Sequence, residues 1–221
     1  MKPTRLFSAL PAVLLFVVLT ASARADYAFT VVLNVSALNT LPNAPFSLDF
    51  QLAQGSGKVT NTVNIFNFSF VGGSPAGTPD WITGGATGWI SSSTGNITLT
   101  NSSNTNEFAE EFSAGVTQIS FNVDETTNPQ TATSGTPVPD QLNIAVLNAD
   151  LDNVPTTDPT GYNTLVTSKL VKSPTVDLST IVGAKNAVTI VTATPEPASV
   201  WLGLIAALGM FGLLRLRSRR A

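Results

Sequence analysis

The chain has 221 residues, of which only 11% are charged, and it contains neither histidine nor cysteine. Those absences exclude Ser-His and Cys-His catalysis, thiolate or imidazole zinc sites, most redox-metal sites and any disulfide framework. Between Asp26 and Thr194 thirteen acids stand against four lysines (Lys58, Lys169, Lys172 and Lys185) and no arginine. The resulting charge of −9 would repel a phosphate backbone, which excludes a nucleic-acid partner.

The first 25 residues, MKPTRLFSALPAVLLFVVLTASARA, combine a basic start (Lys2, Arg5), an apolar run from Leu6 to Leu19 and small residues at Ala23 and Ala25. This is the pattern of a secretory signal peptide cleaved by signal peptidase after Ala25. The expected partners of the nascent chain are therefore the general secretory machinery and signal peptidase.

From Tyr27 onward the pattern turns to period two. Tyr27, Phe29, Val31, Leu33 and Val35 share one face of a strand, and Phe46, Leu48, Phe50 and Leu52 do the same, with Ser47, Asp49 and Gln51 opposite. Val63 and Ile65 keep one parity, whereas Phe66, Phe68 and Phe70 take the other. A bulge near Ile65–Phe66, or burial on both faces, is expected there. The glycine-rich stretch PDWITGGATGWIS reads as a loop carrying Trp81 and Trp89. The simpler expectation is that both rings close one end of the core; exposed, they would stack on sugar rings. Ile97 and Leu99, then Asn106–Phe112, then Ile119, Phe121 and Val123 continue the strand series, and residues 124–140 read as a long polar loop. The dense apolar runs 142–147 and 188–191 read as buried central strands. Short strands separated by Gly/Pro turns predict one all-β domain over residues 26–191, an antiparallel β-sandwich of jelly-roll-like type.

The candidate sites in this domain are few. Ser168-Lys169 are neighbours on a strand and point to opposite faces, so they make no dyad. Glycoside hydrolysis needs two carboxyls about 5 to 9.5 Å apart. Glu110-Glu111 is the obvious pair, with Asp49 and Asp124 as further candidates, but the two adjacent glutamates also oppose each other across a strand. A glycoside hydrolase is therefore the weakest of the readings, and no catalytic residue is assigned. Asp150, Asp152 and Asp158 place alternating oxygens in and after one strand end, which suits calcium, although no EF-hand glycine is present. No other cofactor is implied. Asn34, Asn67, Asn96 and Asn101 begin N-x-S/T sequons.

The C-terminal part is an address. Residues 192–197 form a polar stalk ending in Pro195-Glu196-Pro197, which can join neither a helix nor a central strand. Ala198–Leu214 is an uncharged run of 17 residues, which as a helix reaches about 26 Å, near the thickness of a bilayer core. Residues 215–221 hold Arg215, Arg217, Arg219 and Arg220, which belong on the cytoplasmic side. The precursor is thus expected in the inner membrane by one transmembrane helix, with the β domain outside. Pro-Glu-Pro, apolar span and terminal arginines in this order resemble the PEP-CTERM sorting signal of Gram-negative bacteria. The resemblance implies recognition of Pro195, Glu196 and Pro197 by exosortase, retention through the arginines, removal of the tail, and a place at the cell surface or in the extracellular biofilm matrix. It covers the last 28 residues. The segments PFSLDFQL, NFSF-VGG and EEF-GVTQISFNV are also similar to a β-rich group of PEP-CTERM ectodomains. These features lead to a non-catalytic structural or adhesive surface protein, with an exopolysaccharide-binding sandwich module as the alternative.

Overall fold

A computed structural model describes residues 26–193 apart from Lys58, residues 92–93, Pro129 and residues 131–134 and 184–187. The signal peptide with Ala23 and Ala25, the Pro195-Glu196-Pro197 motif, the apolar run 198–214 and Arg215, Arg217, Arg219 and Arg220 lie outside the described residues. Among the described residues no helix is long and apolar enough to cross a membrane.

The described chain is all-β. Its strands are β1 (Asp26–Asn34), β2 (Phe46–Ala53), β3 (Thr62–Val71), β4 (Pro75–Thr83), β5 (Gly85–Trp89), β6 (Asn96–Thr100), β7 (Thr105–Phe112), β8 (Gln118–Thr126), β9 (Asp140–Leu147), β10 (Val166–Leu170), β11 (Thr175–Leu178) and β12 (Thr189–Ala193). They form two antiparallel six-stranded sheets, ordered β12-β1-β8-β3-β6-β5 and β11-β10-β9-β2-β7-β4. One 3-10 turn, Ser36–Thr40, follows β1. The pairs β1–β8, β2–β7 and β3–β6 are nested, as though one long hairpin bent near β4–β5 had been wound around the core.

The alternation in sequence accounts for the packing. Phe46, Leu48, Phe50 and Leu52 are all buried, as are Phe29, Val31 and Leu33 from β1 and Ile119, Phe121 and Val123 from β8. Phe50 of the second sheet meets Phe68 and Phe121 of the first, with ring centroids 6.1 and 5.2 Å away and both contacts edge-on. Each such side chain contributes about 1.5–3 kcal/mol by leaving water, and each aromatic pair about 0.5–1.5 kcal/mol more. The sheets therefore pack face to face as a sandwich, without a disulfide.

The parity change in β3 is a bulge, placed between Phe66 and Ser69, where β8 advances from Asn122 to Ser120. Three residue steps on β3 oppose two on β8, so Ile65 and Phe68 both reach the core. Asn67 absorbs the extra residue at φ 57°, a conformation that asparagine tolerates better than most residues.

Three expectations need correction. The stretch around Trp81 and Trp89 is not a loop: β4 and β5 belong to different sheets, and Gly84 is the single residue between them. Its φ is +62°, and a Cβ there would run into the Thr105 carbonyl, so glycine alone permits this crossing. The run 188–191 is not central, since β12 is an edge strand paired with β1 only, and it continues through Thr192 and Ala193, two residues assigned above to the stalk. Asp124, Glu125 and Thr126 belong to β8, which shortens the polar loop after it.

Candidate functional site: a groove on the outer face of the second sheet

The residues of β2 and β9 that alternate away from the core do not face open solvent. Asp49, Gln51 and Ala53 from β2 and Gln141, Asn143, Ala145 and Leu147 from β9 floor a groove of about 780 Å³. Glu107 of β7 and Trp81 of β4 lie along one side. The opposite wall is the connection between β9 and β10, which contributes Leu151, Asp152, Asn153, Tyr162 and Thr164.

That wall is held by its own polar side chains. Asn148 Oδ1 accepts the Asp150 and Asp152 amides at 2.9 and 3.0 Å, and Asn153 Nδ2 donates to the Tyr162 carbonyl at 2.8 Å. Asp158 accepts from the amide and hydroxyl of Thr160 and from those of Thr164, at 2.7 to 3.1 Å. Its slight burial works upward, but these four bonds outweigh it and hold the carboxyl down at about 2. With its local chain ordered this way, Tyr162 stands 74% exposed on the rim.

Trp81 is 50% exposed and Trp89 53%, so neither ring closes the core. Trp81 joins the groove, whereas Trp89 ends β5 in the other sheet and does not line it. The structure thus places the two tryptophans apart and adds Tyr162 as the second aromatic of the groove.

Two carboxyls meet on the floor. Gln51 pairs with Glu107 and Asp49 with Ala109 across β2 and β7, which brings Glu107 diagonally beside Asp49. Asp49 is only 6% exposed and its Oδ1 has no hydrogen-bond partner. Burial, then the charge of Glu107 and a hydrogen bond between the two side chains, push Asp49 up to about 8, against the pull of the Phe50 amide. At neutral pH Asp49 is therefore held mostly in its protonated form. Next to it on the same face, Ser47 Oγ donates to Asp80 at 2.7 Å.

The remaining acids fall elsewhere. Glu110 points inward and accepts the amides of Gly77 and Ile90 at 2.8 and 3.0 Å, while Glu111 lies on the other side of β7, opposite Ser47. Asp124 is on β8, in the other sheet from Asp49. Glu125 is fully buried and accepts from Ser168 Oγ at 2.8 Å, while Lys169 points outward, so Ser168-Lys169 is no dyad. Among the described residues no three acidic side chains are grouped to hold a metal ion. Asp150 and Asp152 flank an exposed turn, and both Asp158 oxygens are already occupied by threonines, so the three are not assembled into a calcium site. Of the sequons, Asn101 is buried with its amide nitrogen bonded to Val59 and Asp140.

An exposed aromatic beside a polar floor of amides and carboxyls is the chemistry of sugar recognition: rings stack on pyranose faces, and amides and acids take the hydroxyls. Sequence reasoning named Trp81 and placed Asp49 on the polar face of its strand. It missed Glu107, Tyr162 and the amides of Gln51, Gln141 and Asn143, because their convergence depends on the β2–β7 and β2–β9 registers. Compared with protein families, curated proteins and solved structures, the chain matches none.

Proposed function

We propose that this chain is an exported surface or matrix protein that adheres to extracellular polysaccharide through the groove on its second sheet, without catalysing a reaction. The observation that carries the reading is the placement of half-exposed Trp81 beside the amide- and carboxyl-rich floor of β2 and β9. Hydrogen bonding between Asp49 and Glu107 favours binding over hydrolysis: a glycosidase keeps its carboxyls about 5 to 9.5 Å apart so that a sugar carbon or a water fits between them. The nested order, β1-β8-β3-β6 facing β2-β7-β4, supports jelly-roll winding in which β5 has moved to the opposite sheet.

Delivery is read from the termini. The signal peptide sends the chain out, the inner membrane holds it by residues 198–214, and exosortase recognises Pro195-Glu196-Pro197 and releases the domain to the surface. Replacement of Glu196 by alanine, or loss of exosortase, should leave the protein in the membrane with its C-terminal tail uncleaved. Binding is tested with the full chain in a sugar-free detergent on an array of polysaccharides. Retention of a defined glycan that is lost in Trp81→Ala is the expected result; no retention of any glycan would overturn the binding reading.

A further inference from the structure

The charged side chains described along the groove are acidic. Asp49, Glu107 and Asp152 line it, Asp80 and Glu111 stand at adjoining positions, and among the described residues neither lysine nor arginine lines it. The nearest cation by register, Lys169, sits opposite Gln141 one strand further out and does not line the groove. A uronate, sulfate or phosphate on a sugar would meet like charge at Asp49, Glu107 and Asp152. A neutral sugar would be served by Gln51, Gln141 and Asn143 alone, and would leave the acid pair unexplained. Two carboxyls at diagonal positions across β2 and β7 on the groove floor, one of them almost fully buried with an unpartnered oxygen, are costly unless a cation completes them.

We infer that the groove selects an amine-bearing glycan, a polymer containing de-N-acetylated hexosamine, whose ammonium group is taken by Asp49 and Glu107 while Trp81 stacks on a neighbouring ring. This rests on the sugar-binding reading above and narrows it to a substrate class. An ammonium group supplies three donors on a compact centre, which suits two converging carboxyls, and the adjacent indole face also attracts a cation. No bond is made or broken. The ammonium enters, and the proton held on Asp49 leaves to solvent, so that Asp49 becomes anionic beside the bound cation.

The test is titration calorimetry of the full chain, in sugar-free detergent, with glucosamine oligomers and N-acetylglucosamine oligomers of equal length. It is run at neutral pH in two buffers of different ionisation enthalpy. The amine oligomer should bind at least tenfold more tightly, with net proton release that the buffer comparison detects. The variant Asp49→Asn/Glu107→Gln should lose both the preference and the proton release, while retaining the weaker binding that depends on Trp81. Its thermal unfolding at the same pH checks that it folds, and Glu107→Gln alone serves as a second variant. Equal affinity for the two oligomers, a preference that survives both variants, or equally tight binding of an oligolysine would overturn the inference. In the first case, Trp81-dependent binding of the acetylated oligomer would leave the sugar-binding reading standing; binding of neither oligomer nor any other glycan would remove both.

Discussion

Asp140 opens β9 and Asp49 sits in the middle of β2, on adjacent strands of one sheet, yet they face opposite ways. Asp140 is fully buried and accepts four hydrogen bonds: the Gly55 amide at 2.6 Å on Oδ1, and Asn61, Asn101 and Gln130 at 2.7, 2.6 and 2.6 Å on Oδ2. The oxygen of each of those three amides accepts a backbone N–H, from Asn128, Asn61 and Val59 respectively. Their orientation is therefore pinned with the NH₂ groups toward the carboxylate, which excludes a flipped, cation-binding arrangement. Asp49, by contrast, keeps a bare oxygen and an acidic neighbour. The difference separates two uses of a buried acid. One completes a closed network that ties Gly55, Asn61, Asn101 and Gln130 to Asp140, and the other is left incomplete beneath the floor of the groove.

The contrast can be broken most forcefully at Asp140. Asp140→Leu strands four buried donors and should cost about 3–5 kcal/mol in chemical denaturation, or prevent folding outright. A loss below about 1 kcal/mol would show that the network is dispensable. At Asp49 the effect should be smaller and of opposite sign. Its folded value of about 8 exceeds the ordinary value of 3.8, so the folded state keeps a proton that the unfolded chain has released. Stability from this group is complete below about pH 4 and declines as pH rises toward 8. Glu125, raised to about 7 by burial against its Ser168 hydrogen bond and with help from the charge of Asp124, acts in the same direction. The domain should accordingly unfold at a higher temperature at pH 5 than at pH 8.5. Asp49→Asn should flatten that slope and stabilise the protein at pH 8.5 by about 2 kcal/mol, well short of the full shift because the site can relax.

Trp81→Ala should sharpen the comparison from the ligand side: at least a tenfold loss of glycan affinity, with stability changed by less than about 1 kcal/mol since half of the ring is already in water. The smallest effect is expected at Asp158, an acid on the rim. Its value of about 2 means that its contribution is present above pH 4 and lost as pH falls toward 2. Asp158→Asn should thus lower the melting temperature slightly at pH 5 and at neutral pH alike, change it little at pH 2.5, and so narrow the gap between pH 5 and pH 2.5.

Much of the fold was legible in particular residues. Phe46, Leu48, Phe50 and Leu52 announced β2, and the parity break at Ile65–Phe66 announced the bulge, found between Phe66 and Ser69. Trp81 and Trp89 misled, because Gly84 and Gly85 look like loop residues when they in fact carry the chain from one sheet to the other. Their exposure was likewise not readable, since tryptophan in a β domain is buried more often than not. The dense run at 188–191 looked central for a similar reason: a strand can be apolar at a sheet edge when it covers the core margin, as Val188 does.

By itself the sequence determined class and composition: an all-β domain with a polar face on each half-buried strand, an excess of acids and no histidine or cysteine chemistry, beside terminal segments whose reading as export and sorting signals is the basis of the proposal above. Those properties are local, set by alternation, composition and short motifs that act within a few residues. Only the tertiary structure decided that the polar faces of β2 and β9 become a groove, that Glu107 lands beside Asp49, and that Tyr162 rises opposite Trp81. Strand register and sheet order set those meetings across separations of tens of residues, and a slip of one position would turn Asp49 inward and Leu48 out. That long-range choice turns an ordinary amphipathic strand into the floor of a site.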